Sequence, residues 1–299
     1  MKTQTFGVEI ELTGITRCQA ANTIAEYFHT EKVHLGGGYD KYIVNDNQGR
    51  PWTLMSDGSI RTEKKDGSDA SREYSCEMVT PICKWEDIER IQEIVRKLRS
   101  KGAIANSSCG IHVHVGAEDH TAQTLRNLVN IMSSKEDILF KALGVSPTRA
   151  DRWCKKNDQR FVEKLNKKKP TTKREVERIW YDDDVNRAYS HYDYSRYHAL
   201  NLHSLWQGKG VEFRCFNGTT HAGKIKTYIQ LCLAISHQAL TQKAATAKKT
   251  ESNNEKYTFR TWLLRLGMIG EEFETARKFL LENLEGDIAF KNGRERVAA

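Results

Sequence analysis

Residues 3–12 alternate apolar and polar side chains. In FGVEIEL the apolar Val8, Ile10 and Leu12 take one face of a strand, and Glu9 and Glu11 take the other. The same two-residue period recurs in GIHVHVG, where His112 and His114 oppose Ile111, Val113 and Val115. It recurs again in GVEFRCF, where Glu212 and Arg214 oppose Val211, Phe213 and Cys215. Further strands are expected at 73–80, which carries Glu77, and at 198–206. The segments 41–45 and 51–56 read as a hairpin across the DNQGRP turn. Helical periodicity marks 18–29, 85–101 up to Gly102, 120–142, 222–242, 258–267 and 271–284. The stretch 148–188 reads as mostly helical with a break at Pro170, and Gly36-Gly37-Gly38 as a mobile loop.

Consecutive hairpins favour an antiparallel α+β core, because a parallel sheet needs a helical crossover between each pair of strands. The polar, small-residue stretch 243–256, KAATAKKTESNNEK, divides the chain. The expected organisation is therefore a catalytic domain over 1–242 with a basic helical insert at 148–190, a linker at 243–256, and a helical appendage at 257–299.

Composition narrows the class. The 299 residues are 38% hydrophobic and 29% charged, and no apolar run nears the ~20 residues that cross a bilayer. The opening MKTQTFGVEIEL has no apolar signal core, which argues against export. The seven cysteines are scattered and never spaced C-x-x-C, so a disulfide framework or structural zinc site is not expected. A cytoplasmic setting and no membrane partner follow as expectations. The net charge of +8 is concentrated between Arg149 and Arg178. Such a segment can follow nucleic-acid phosphates, steer anionic substrates, or be a solvated helical pair. No nucleic-acid-reading motif accompanies it, so nucleic acid is the minor alternative.

Any one of the polar strand faces could simply face water. Their composition points elsewhere: a solvated face mixes Lys, Thr, Gln and Ser, whereas these faces carry carboxylates, imidazoles and one guanidinium. Glu9, Glu11, Glu77 and Glu212 gathered on one sheet face would repel one another unless cations lay between them. Carboxylate oxygens with an admixed imidazole suit Mg²⁺ or Mn²⁺, and more than three carboxylates suit two ions better than one. Arg214 adds a planar fork of donors that matches phosphate oxygens. Metals with arginine are the equipment of phosphoryl transfer.

The ordered run FGVEIEL, DGSI, EMVTP, SCGIHVHV, RYHALNL and GVEFRCFNGT, over residues 5 to 240, resembles the amidoligase family. That family lies in the superfamily of glutamine synthetase and γ-glutamylcysteine ligase. The resemblance implies a partly open antiparallel barrel of glutamine-synthetase type that holds ATP and two or more Mg²⁺ or Mn²⁺ ions. It implies amide formation between a small-molecule or peptide carboxylate and an amine through an acyl phosphate. By motif, Glu9, Glu11, Glu77, His112 and Glu212 would be metal ligands. His114, Asn201 and Asn217 would bind nucleotide or substrate. Arg214 would stabilise the transferred phosphoryl group, with Arg196 holding nucleotide or acyl phosphate. Asp57 would position or deprotonate the amine, or would be a turn residue bonding its own backbone. Either Arg149 or Arg152 could reach the site, and the sequence does not choose between them.

Three rival readings compete. GTTHAGK at 218–224 fits the first seven positions of a P-loop, but Ile225 stands where a hydroxyl should bind the metal. A metal-dependent hydrolase could use the His/Glu cluster without ATP. Cys109 as a nucleophile for His112 lacks an orienting carboxylate, and the two lie an odd number of residues apart.

Overall fold

The computed structural model describes residues 1–291. In chain order the elements are β1 (Phe6–Leu12), α1 (Arg17–Phe28), β2 (Lys32–Gly36), β3 (Lys41–Asn45), β4 (Pro51–Met55), β5 (Cys76–Val79), α2 (Asp87–Ser100), β6 (Gly110–Val115) and α3 (Ala122–Leu143). There follow α4 (Pro147–Arg152), α5 (Gln159–Lys168), α6 (Lys173–Trp180), β7 (Leu200–Asn201), α7 (His203–Trp206), β8 (Val211–Asn217), α8 (Ala222–Thr241), α9 (Glu255–Arg265) and α10 (Glu274–Leu281). The fold is α+β: an antiparallel sheet in the order β2-β3-β4-β5-β1-β6-β8-β7, flanked by helices and not closed into a barrel. Among the described residues no helix is long and apolar enough to cross a membrane.

The chain separates into two compact units. One comprises Lys2–Val115 and Phe216–Ile229; the other comprises Met1, Gly116–Cys215 and the chain from Gln230 onward. In the first, β1 is an interior strand, paired with β5 on one side and β6 on the other. Val8, Ile10 and Leu12 of β1 and Ile111, Val113 and Val115 of β6 are all buried. Each contributes about 1.5–3 kcal/mol by leaving water. A one-residue slip of either strand would exchange these for Glu or His, so the apolar face pins the register that places the polar one. Helix α1 starts in a capping box in which Gln19 N–H donates to Thr16 Oγ1 (3.2 Å) and Thr16 N–H donates to Gln19 Oε1 (2.9 Å). Helix α2 stops at Gly102, whose φ of +109° suits a residue without Cβ.

In the second unit, α3 begins in another capping box, between Thr121 and Thr124. The basic insert folds as α4, α5 and α6. Helix α5 ends at Lys168, before Pro170, and α6 starts from a Thr172–Glu175 capping box. The polar stretch 243–254 has no helix or strand. It is nevertheless held along α3, where Thr250 N–H donates to Ser134 O (2.9 Å) and Lys249 Nζ lies 3.2 Å from the buried Glu136 carboxylate. Helix α9 follows it, and Asn283 beyond α10 donates to Ala142 O of α3 at 3.0 Å. Of the segment expected as an appendage, residues 292–299 lie outside the described residues.

Three local expectations need correction. The strand expected over 198–206 is only Leu200–Asn201, after which His203–Trp206 is a helical turn. Asn201 Oδ1 accepts the His203 N–H (2.8 Å), and this bond bends the chain off the sheet. The strand expected over 73–80 begins at Cys76, because Arg72–Tyr74 is a 3₁₀ turn. Strand β2 was absent from the sequence reading. It pairs with β3, and Gly36 and Gly37, both at positive φ, make the turn that was taken for a mobile loop.

Candidate active site

The polar face of the first unit is built by register. Glu9 lies opposite His112, Gly7 opposite His114, and Glu11 opposite Glu77. Facing residues in adjacent antiparallel strands hold their Cβ atoms about 4.5–5.5 Å apart. The five polar side chains are therefore neighbours by construction. Gly7 leaves room beside His114, whose Nε2 lies 3.1 Å from Glu9 Oε1. The other Glu9 oxygen is 3.0 Å from His112 Nδ1, and His112 Nε2 is 3.9 Å from Glu11 Oε1. Gly110 N–H donates to Glu11 Oε2.

This face does not look into water as a solvated strand would. Glu11, Glu77 and His112 are 4%, 5% and 4% exposed. Burial raises the pKa of the Glu9 carboxyl, but the charges and hydrogen bonds of His114 and His112 outweigh it and hold the group well below the ordinary value. A buried carboxylate that stays ionised needs positive partners.

Asp57 joins the cluster from the loop after β4. Its Oδ1 accepts both the backbone N–H and the hydroxyl of Ser59 (2.6 Å each), so it does make the local turn. Ser75, just before β5, ties that loop down. Its hydroxyl donates to Asp57 O (2.6 Å) and accepts from Asp57 N–H (3.0 Å). Arg17 in turn donates to the carbonyls of Arg72 (2.7 Å) and Ser75 (2.6 Å) and pairs with Asp40. Sequence reasoning missed both braces, since one serine and one arginine at a helix start carry no pattern.

Two triads result. Glu9, Glu77 and His112 each offer one ligand atom within 4.8 Å of the others, and so do Glu11, Asp57 and Glu77. Glu77 is common to both. The donors are carboxylate oxygens with one imidazole, a set that fits hard divalent cations and includes no thiolate.

The second unit holds its own buried polar group. Glu212 is gripped through both oxygens: Asn201 Nδ2 donates to Oε2 (2.5 Å) and Arg214 Nη1 donates to Oε1 (2.5 Å). Arg214 Nε reaches Trp153 O at 3.4 Å, and Arg149 Nη2 donates to Arg214 O at 3.2 Å. Of the two arginines left open by the sequence, Arg149 is buried at this group and Arg152 is exposed. His203, two residues after Asn201, shares a hydrogen bond at Nδ1 with the buried Tyr181 hydroxyl. Arg196 lies over the Tyr192 and Tyr197 rings and donates to His191 O (3.2 Å).

Asn217 ends β8 in the first unit, next to Gly218, whose N–H donates to Cys109 O (2.9 Å). A Cβ on Gly218 would lie 2.5 Å from Cys109 Cβ. Gly218 is therefore a packing glycine that clamps β8 to the start of β6, a different duty from cradling phosphate. Cys109 is buried beneath this contact.

The fold and this face define a class: an α+β sheet protein with clustered carboxylates and imidazoles on a largely buried polar face. The family follows from comparison with known proteins. Residues 2–236 match the family described as "Putative amidoligase enzyme", and the chain belongs to this family of amide-bond-forming ligases. No curated protein matches the chain.

Proposed function

We propose that the protein is an ATP-dependent carboxylate–amine ligase whose first unit binds two or more Mg²⁺ or Mn²⁺ ions. The observation that carries this reading is the pair of triads sharing the buried Glu77, Glu9–Glu77–His112 and Glu11–Asp57–Glu77. Four carboxylates gathered this closely, two buried and two half-buried, are costly unless cations neutralise them. When bound, the metals would neutralise the phosphate oxygens of ATP and orient the γ-phosphoryl group for transfer.

The chain's own residues supply the rest. The Glu9, Glu11, Glu77 and His112 side chains are fixed by sheet register, so they need little reorganisation to act as ligands. His114 Nε2, 3.1 Å from Glu9 Oε1, lies beside that carboxylate and steadies it electrostatically. In the second unit, Asn201 and Arg214 hold Glu212, the proposed further ligand, and the planar Arg214 guanidinium matches the geometry of phosphate oxygens. A substrate carboxylate takes the γ-phosphoryl group, releasing ADP. The amine then attacks the acyl carbon, phosphate leaves, and the proton lost by nitrogen passes to a base. Asp57 is assigned to this proton transfer rather than to ligation, and Glu11 and Glu77 remain the ligands of that triad.

The test is release of ADP from ATP and Mg²⁺ across a panel of acid–amine pairs, using the wild type, Glu11→Gln and Glu212→Gln. The expected result is turnover in the wild type and none in either variant, with unchanged circular dichroism. Full activity in either variant refutes the ligand assignment. Hydrolysis of an amide without ATP would turn the reading towards a metal-dependent hydrolase.

A further inference from the structure

We infer that the first unit carries a separate oxyanion-binding cavity, suited to the remote carboxylate of an acidic substrate or to a phosphate group. The cavity, of about 380 Å³, is lined by Lys65, Arg99, the turn from Gly102 to Ala105, and Gly218, Thr219 and Thr220. That is room enough for a small acid. Three separate pieces of chain build it.

Lys65 comes from a tight hairpin over 62–70. There Lys64 N–H donates to Ser68 O (2.8 Å), Gly67 N–H donates to Lys64 O (2.9 Å), and Glu63 bridges Asp69. The base of this hairpin is tied to the end of β1, where Gly14 N–H and the Thr13 hydroxyl both donate to Glu63 O (2.8 Å each). Its position is therefore set by the same strand that carries Glu11. The Lys65 stem packs on Gly102, with Cδ 3.4 Å from where a Cβ would sit. Arg99 comes from the last turn of α2, which ends at that glycine.

The chemistry of the lining is one-signed: two cations, two hydroxyls and glycine backbone, with no carboxylate among the described lining residues. The nearby acids are occupied elsewhere. Glu63 pairs with Arg61, and Asp66 accepts from Ser68. Thr219 Oγ1 accepts the His221 N–H (3.0 Å), which leaves its hydroxyl proton for a ligand. Lys65 and Arg99 reach one cavity from separate elements, and a guanidinium offers paired donors to an oxyanion.

One peptide links this cavity to the carboxylate cluster. The Cys109 carbonyl accepts from Gly218 N–H in the cavity wall, and the next N–H, of Gly110, donates to Glu11. On the ligase reading, the cavity would hold the carboxyl of an acidic substrate that is not phosphorylated. This last step rests on the ligase reading; the existence of the oxyanion cavity does not.

The experiment is calorimetric titration of the full chain with glutarate, inorganic phosphate and acetate, alongside a separate titration with Mn²⁺. Lys65→Gln and Arg99→Gln are exposed substitutions, checked for fold by circular dichroism. Glutarate or phosphate binding is expected to weaken about fivefold in each variant and about twentyfold in the double variant, with Mn²⁺ binding unchanged. Glutarate binding identifies a remote carboxylate as the source and phosphate binding identifies a phosphoryl group; both support the cavity. Absence of binding by either anion in the wild type, or equal binding by the double variant, overturns it. If Mn²⁺ fails to bind the wild type while the anion result holds, the ligase reading falls and the cavity stands.

Discussion

Glu77→Gln tests the two-triad arrangement at the residue both triads share. The substitution keeps the shape of the side chain and removes one charge. At separations up to 4.8 Å, and with an effective dielectric of about 20, a pair of carboxylates repels by about 3 kcal/mol. Glu77 faces such partners in both triads, and it is 5% exposed, so solvent relieves little of this. Against that gain stands the loss of acceptor strength when a carboxylate becomes an amide, about 1–2 kcal/mol. The metal-free variant is therefore expected to be more stable than the wild type by at least about 1–2 kcal/mol, the balance from a single such pair. Adding Mn²⁺ at a hundredfold above its dissociation constant should stabilise the wild type by about 2.7 kcal/mol per site. The variant should gain little. Urea denaturation in chelator and again in Mn²⁺ reads both quantities, and the order of stability should invert between the two conditions. A variant that is destabilised in chelator, or that gains as much from Mn²⁺ as the wild type, refutes the shared-ligand reasoning.

Two further outcomes follow. Arg214→Lys removes the donor that grips Glu212 and the fork suited to phosphate. Its turnover should fall about a hundredfold, while nucleotide affinity, read by calorimetry, changes less than fivefold; equal losses would make Arg214 a general binding residue. His120 is buried in the second unit, with its ring between Thr124 and Ser236. Burial, with Lys173 nearby, pulls its pKa down to about 4. Its folded pKa lies below the ordinary value of about 6.5, so the unfolded chain takes up the proton first. The stability this neutral ring contributes is complete above pH 6.5 and is lost as the pH falls towards 4. Between pH 7 and pH 5 the protein should lose about 2 kcal/mol from this group. His120→Gln should flatten that slope in urea titrations, and an unchanged slope would exclude His120 as its source.

Much of the sheet was legible because its strands obey a period of two. Strands β1, β6 and β8 were placed by alternation alone, and so were the side chains that share a face in each. Helices α1, α2, α3 and α8 were legible from their apolar periodicity. The failures are local competitions that the pattern does not register. The Asn201 side chain diverts the chain into a turn where apolar alternation promised a strand. The KVHLG of β2 is mostly exposed and shows no face to read.

The sequence by itself determined which residue types would share a strand face, since the pleat allows no other arrangement. It could not determine which strands become neighbours, and neighbourhood is what makes a site. The pairing of Glu9 with His112 and of Glu11 with Glu77 joins residues far apart in the chain, and it is set by how the apolar faces of β1, β5 and β6 pack. Burial is decided in the same way. Whether a row of carboxylates meets water or is enclosed depends on what the rest of the chain lays over it. Only the folded protein shows Glu11, Glu77 and His112 enclosed and the two triads meeting at one glutamate.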